Sequence, residues 1–358
     1  MRSKVAVLKT NPRTVLQDIT QAMVLADFNK ALPNDYATIL KINISWHHYY
    51  PACSTTPWQF EGVTKALLEA GYKSLIPAQN RTVVVDPEIG AHNNHLVSVL
   101  HKYKLKFIYL YKPDIKWIIY QPKGKLLVLD KVYPDGIQIP EMMAGKNAVH
   151  LPTMKTHVFT KTTGAMKNAF GGLLNDNRHW THSVINETLV DLLTIQKEIH
   201  PGLFAVMDGT IAGDGAGPRA MVPYIKNYIL ASGDMVAIDA VAAKMMGFDP
   251  MAMPYIRLAH EKGLGIGDPS EIKIVGEDIS SVNFGFKVKD TFASRGQKAI
   301  YHGWLKPFEK ILLRTSIVPW SYLASRLYHD IFWYNAIGKR RVKKIMKTEW
   351  GKLFESYL

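Results

Sequence analysis

Ala37-Thr38-Ile39-Leu40-Lys41-Ile42-Asn43-Ile44 is a run of mostly apolar, partly β-branched residues with the length of a strand. After a loop, Ser54-Thr55-Thr56-Pro57 supplies a capping hydroxyl and a proline where a helix can begin. Trp58 to Ala70 is amphipathic and stops at Gly71, and Ser74-Leu75-Ile76 starts another strand. The unit is β-loop-α-β, the building block of a parallel sheet. It predicts an α/β fold, mainly a parallel sheet with helices on both faces.

Working outward, the N-terminal stretch through Lys9 reads as a first strand, and further strands are predicted at Lys106–Leu110, Lys125–Leu129, Ala148–Leu151, around Tyr228–Leu230 and at Ile272–Val275. Helices are predicted at His92–Tyr103, Thr163–Leu174, Ile185–His200, Met235–Met246 before Gly247, and Pro254–Glu261. Leu203-Phe204-Ala205-Val206-Met207 reads as a short buried strand delivering Asp208 to its carboxyl end, ahead of the glycine-rich loop Gly213-Asp214-Gly215-Ala216-Gly217-Pro218.

The balance of 47% hydrophobic and 21% charged residues over 358 positions is that of a globular protein and excludes disorder for the chain as a whole. A lone Cys53 excludes an internal disulfide, a Cys-x-x-Cys zinc site and a cysteine-held iron–sulfur cluster. The N-terminus lacks the features of a signal peptide, and no run of about 18 apolar residues exists to span a membrane. The expected location is cytoplasmic, with Cys53 reduced.

The net charge of +14 is uneven. Half of it lies between Tyr301 and Leu358, together with Trp304, Trp320, Trp333 and Trp350. This shift divides the chain into an α/β core, residues 1–285, and a mostly helical, basic and aromatic C-terminal extension, residues 286–358.

Loops at the carboxyl ends of strands collect ligands in open α/β sheets. Three polar segments are predicted at such places: Lys41-Ile42-Asn43 with the loop from His47 to Thr56, Leu151 to His157 with Lys167-Asn168, and Asp208-Gly209 with Asp214. The second gathers Lys155, His157, Lys161, Lys167 and Asn168 with few acids. If they converge they form a cationic pocket for a carboxylate or phosphate, with Lys155 or His157 moving protons near neutral pH. The plain alternative is solvated lysines and a loop histidine. Asp208 and Asp214 read either as a base or metal ligand with its partner, or as turn residues. The glycines would bring backbone amides to a ligand, but their spacing fits no nucleotide motif. The pairs His92/His95 and His179/His182 share a helix face at three-residue spacing, though a metal would need further ligands. Cys53 reads as a buried structural thiol.

The Leu151-Pro152-Thr153-Met154-Lys155-Thr156-His157 segment, Met166-Lys167-Asn168-Ala169-Phe170-Gly171, Asp208 before Gly213 to Pro218, and Ala237-Ile238-Asp239-Ala240-Val241-Ala242 stand in one order. In that order the chain resembles the family named domain of unknown function 362, over about residues 37 to 276. The family's Lys-Pro-Asn strand and Thr-x-Pro helix start are matched by Lys41-Ile42-Asn43 and Thr55-Thr56-Pro57, with Ile42 in place of proline. The resemblance implies that Lys155, His157, Lys167, Asn168, Asp208 and Asp239 belong to a shared site or its support. Many members are described as iron–sulfur-centre proteins because they carry cysteine-rich segments, and that redox role does not transfer to a chain with one cysteine.

Two functions compete. The first is an enzyme working by acid/base chemistry on a small anionic metabolite: Lys155, His157 and Asp208 are catalytic, and Asn43, Thr55, Thr56, Lys167, Asn168, Asp214 and Asp239 bind substrate. Isomerase, lyase and transferase are not distinguished. The alternative is a membrane-surface or partner-binding module, in which Trp320, Tyr322, Leu323, Leu327, Phe332 and Trp333 interleave with Arg314 and Arg326 ahead of Lys339-Arg340-Arg341-Val342-Lys343-Lys344 and lie on anionic lipid. The same stretch also fits a helical appendage packed on the core. Nucleic acid ranks lower, because no recognised binding motif accompanies the basic patch.

Overall fold

The computed structural model describes residues 3–82, 84–308, 323 and 325–358. Twelve strands are present among them: β1 Lys4–Lys9, β2 Thr38–Lys41, β3 Leu75–Gln79, β4 Ile108–Tyr109, β5 Trp117–Tyr120, β6 Ile137–Pro140, β7 Asn147–His150, β8 Thr153–His157, β9 Lys161–Thr162, β10 Leu203–Ala216, β11 Ala220–Ser232 and β12 Lys273–Gly276. The main sheet runs β12-β1-β11-β10-β7-β2-β3-β4, with β8 on β10 and β9 on β8. Its pairings are parallel except β11 with its two neighbours and β9 with β8. β5 and β6 form a separate antiparallel pair.

Alternation along the strands feeds two cores, one on each face. Val5, Val7, Ile39, Ala205, Met207 and Leu230 pack with the helices Ile185–Ile199, Met235–Met246 and Pro254–Glu261. Ala6, Leu8, Leu40, Phe204, Val206, Ile229 and Ala231 face the opposite way, against Val15–Leu25, Pro57–Glu69 and Leu96–Lys102. The expected α/β architecture is therefore present, and the helix predicted from Trp58 starts at Pro57 with Thr56 as its cap.

Four local expectations are corrected. Lys125–Leu129 is no strand: the buried Asp191 carboxylate accepts the amides of Leu127, Val128 and Leu129 at 2.7, 2.9 and 3.0 Å, and a short helix, Leu129–Val132, begins there. The predicted helix from His92 divides into Pro87–Asn93 and Leu96–Lys102. Between them His95 is left-handed at φ 55°, so His92 and His95 do not share a helix face. The predicted Thr163–Leu174 helix divides into Gly164–Asn168 and Phe170–Leu173, the latter folded over Lys41, where a Cβ on Gly172 would lie 2.7 Å from Lys41 Cε. β10 does not stop at Met207 but continues through the glycine-rich segment, which is one arm of a hairpin with β11.

The C-terminal helices Lys339–Met346 and Glu349–Glu355 close the second core. Trp333, Ile345, Trp350 and Phe354 are buried in it. Phe354 is stacked between Tyr49, at 3.8 Å, and His95, at 4.1 Å, while Trp350 packs on Trp58 and donates its indole N–H to Asn227 Oδ1 at 2.7 Å. Trp320, Tyr322 and Arg314 lie outside the described residues. No helix among the described residues is long and apolar enough to cross a membrane.

Phe354→Ala removes a ring with two stacked partners, and a loss of about 3–5 kcal/mol in urea unfolding is expected; a loss below about 0.5 kcal/mol would show that the C-terminal helix contributes nothing to the core.

A buried basic cluster at the strand ends

Parallel β2 and β7 end side by side at Lys41 and His150, and β8 continues beyond β7 along β10, carrying Lys155. Lys155, on β8, is 2% exposed. Its ammonium donates to the carbonyl of Cys53 and to Ser45 Oγ, the latter at 3.2 Å. Ser45 in turn donates to Asn43 Oδ1 at 2.8 Å, and Asn43 Nδ2 donates to the same Cys53 carbonyl at 3.2 Å. Thr55 links this ring to the sheet, accepting from Asn43 N–H at 2.9 Å and donating to the carbonyl of Leu151 at 2.8 Å. Cys53 is buried, its thiol donating to the Pro218 carbonyl at 3.2 Å and its pKa raised by burial, as a structural thiol requires.

Lys167, on the helix Gly164–Asn168, places its ammonium 4.7 Å from the Phe170 ring centroid. The next residue, Asn168, donates to the carbonyl of Lys41 at 2.8 Å. Lys41, at the end of β2, is 1% exposed and donates to Gln79 Oε1 and the Ile42 carbonyl. Burial lowers Lys41 and Lys167 to about 7 and Lys155 to about 8. Repulsion reinforces this: Lys167 feels Lys155 and Arg178, and Lys41 feels Arg178.

His157 is buried on the last position of β8 rather than in a loop. Its Nδ1 accepts the Phe159 N–H at 3.2 Å. Burial, with Lys167, His182 and Lys155 nearby, drives its pKa far down. The ring is neutral at pH 7 and carries its proton on Nε2. His182, from the 3-10 helix Asp176–Val184, is pushed down to about 3 by burial and Lys167. It stacks on Tyr301 and meets Phe159 and Phe170 edge-on. Among the described residues no carboxylate forms an ion pair with Lys41, Lys155 or Lys167.

The aspartates face other work. Asp208 lies inside β10, beside a bulge between Gly209 and Ile211. Its Oδ1 accepts the Thr210 amide at 2.7 Å, and its Oδ2 accepts from Thr56 Oγ1 and from Trp58 Nε1 at 3.0 Å. Thr56 is thus tied to Asp208 and to the start of its own helix. Asp208 makes no bond to Lys155 or His157 among the described residues. Asp239 accepts the amides of Ala165 and Met166, at 2.5 and 3.1 Å, and burial pushes it up to about 8. It caps the helix that carries Lys167 and Asn168. Asp214 sits at the hairpin and accepts the Lys287 amide at 2.7 Å.

The glycines of the hairpin serve packing rather than an amide cradle. Thr156 donates to the carbonyls of Gly213 and Gly215, and a Cβ on Gly217 would lie 1.7 Å from the Thr156 carbonyl oxygen. The hairpin thereby holds β8 and its two chemical residues in place. Lys41 heads the first of the expected ligand-collecting segments and His182 belongs to an expected histidine pair, though neither carries an expected site role; Ser45, Gln79 and Arg178 are not among the expected residues. The signal for Lys41 was present, a single charge inside an apolar strand, while His182 is joined to the cluster only by the tertiary fold. A surface cavity of about 300 Å³ lies elsewhere, between Glu61, Lys102 and the C-terminal Tyr357 and Leu358. The basic cluster is closed over, with half-buried Lys167 nearest to solvent.

The family model for Domain of unknown function (DUF362) matches residues 38–244. A thylakoid-associated protein of Synechocystis sp. is 29% identical over 131 residues, covering 35% of this chain and 40% of that protein. The match therefore spans well under two thirds of the relative. No solved structure gives a significant match.

Asp239→Ala leaves two buried amides unpaired, and a stability loss of about 2–4 kcal/mol is expected in urea. Gly164→Ala should also destabilise, since φ is +78° and the new Cβ would lie 2.2 Å from Asp239 Oδ1. Changes under about 0.5 kcal/mol in both would disprove the clamp.

Proposed function

The chain belongs to the DUF362 family, a domain of unknown function, and from that premise we propose that it is an enzyme that binds a small carboxylate or phosphate metabolite among Lys155, Lys167 and His157. One observation carries this reading: Lys41 and Lys155 are buried and Lys167 is half-buried, Lys155 and Lys167 are close enough to repel, and none of the three has a carboxylate counter-charge among the described residues. Burying unpaired cations is costly, and an anion supplies the missing charge. Lysines lowered to about 7 or 8 also exchange protons near physiological pH. In the proposed chemistry Lys155 moves the proton, His157 donates a hydrogen bond from Nε2, and Lys167 and Asn168 hold the anion. Asn43, Thr55, Thr56, Asp208 and Asp239 set the frame. No cysteine-bound cluster takes part, since Cys53 is the only cysteine.

The sign of the pH dependence follows. A bound anion favours charged lysines and returns their pKa values toward 10.5. Binding should therefore take up protons at pH 8–9 and weaken as the pH rises through that range. Calorimetric titration with inorganic phosphate and small dicarboxylates, in buffers of different ionisation enthalpy, measures both. Lys155→Ala and Lys167→Gln should each weaken binding by about tenfold or more. Absence of proton uptake, or unchanged affinity in both variants, would overturn the reading.

A second reading, docking on an anionic membrane surface, has its own support. Leu323, Leu327, Ile331 and Phe332 are 55%, 49%, 62% and 62% exposed, and the cations Arg326, Lys339, Arg340, Lys343 and Lys344 are exposed on the same segment. Apolar side chains beside cations suit an anionic bilayer surface. The matched relative is named as thylakoid-associated. Co-sedimentation with phosphatidylglycerol vesicles should succeed for the full chain and fail for Ile331→Glu/Phe332→Glu; equal binding of the double variant would remove this reading.

A further inference from the structure

The loop after β2, whose Ser45 accepts from Lys155, meets the π-helical segment Leu327–Gly338 at His47. We propose that His47, His48 and Asp330 form a binding site for one divalent transition-metal ion of the zinc or ferrous class. The three side chains offer one ligand atom each, all within 4.8 Å of one another. They come from positions some 280 residues apart, joined only by the fold.

Three features mark a site rather than a chance contact. His47 Nε2 lies 3.5 Å from Asp330 Oδ2, longer than an ordinary hydrogen bond of roughly 2.7–3.2 Å. It is close to the ~3.3 Å that separates two ligands on a tetrahedral ion with bonds of ~2.0 Å. The other carboxylate oxygen, Oδ1, is occupied by the Trp46 indole N–H at 2.6 Å, which orients Asp330 and leaves Oδ2 available. The histidines are also fixed: Asn93 Nδ2 holds the His47 carbonyl at 2.7 Å, and the His48 ring stacks on Tyr334 at 4.3 Å and 11°.

The neighbourhood selects the class of ion. Arg219 and Arg326 act on His47 and Lys339 acts on His48. Their charge opposes cations held mainly by carboxylate attraction, so calcium and magnesium are disfavoured with one acid present. An ion that gains from imidazole nitrogen overcomes this more readily, and two histidines with one carboxylate suit zinc or ferrous iron. Three protein ligands leave a position open, and the surrounding cations favour an anion or water there. Because Asp330 lies on the C-terminal segment, a bound ion ties that segment to the loop after β2.

The test uses the full chain, treated with chelator and titrated with Co²⁺ as a visible reporter, then with Zn²⁺ in competition. One equivalent per chain with a tetrahedral or five-coordinate spectrum is expected. Asp330→Asn keeps an acceptor for Trp46, and His48→Phe keeps the stack on Tyr334, so both should fold, as circular dichroism would check. Each should weaken Co²⁺ binding by about tenfold or more and abolish the metal-dependent rise in melting temperature. No stoichiometric binding, or binding unchanged in the folded variants, overturns the proposal. Because the variants leave Lys155 and Lys167 intact, anion binding should persist in them, which separates this outcome from failure of the lysine site.

Discussion

Two hydrogen bonds from the amides of Ala165 and Met166 to Asp239 fix where the short helix Gly164–Asn168 begins. From there the order passes along the chain: the helix presents Lys167, and Asn168 reaches the carbonyl of Lys41 at the end of β2. The amide of Leu151 takes that same carbonyl at 3.1 Å, so β2, the exit of β7 and the helix share one anchor. A five-residue helix has little stability of its own. Its position depends on a carboxylate from another helix, and with it depends the place of the lysine.

The electrostatic character of the region follows from how its acids are used. Asp208 answers the amide released by a bulge, a hydroxyl and an indole; Asp239 answers two helix amides; Asp191 answers three amides of the 127–129 turn. Each carboxylate stabilises backbone that would otherwise be buried without partners. None is left to neutralise Lys41, Lys155 or Lys167 among the described residues. The fold thus separates its buried carboxyl groups, spent on architecture, from the lysines held near the ends of parallel strands.

Much of this frame was legible in the sequence. The strand from Thr38 and the helix before Gly71 carry local signals, as do the Met235–Met246 helix and its glycine stop. Elsewhere a distant partner decides. Nothing near Leu127 announces that Asp191 will take its amide, and Gly172 gives no sign of the lysine stem beneath it. The glycines of β10 weaken its strand signal beyond Met207, although in the fold they permit close packing on Thr156. The identity of several polar residues near the strand ends was readable from their order along the chain. Their division into a cationic cluster and a set of structural carboxylates was not, because it depends on which strand faces each side chain.

The stack of Phe354 between Tyr49 and His95 bears on the order of events during synthesis. The slot it fills is made by residues from the first third of the chain, and Trp350 covers Trp58 beside it. A ribosome therefore releases most of the sheet before the side chains that seal this face exist. Until then an aromatic groove stands open to water, a surface of the kind that chaperones hold or that neighbouring nascent chains bind wrongly. Cooperative closure of that face waits for Trp350 and Phe354.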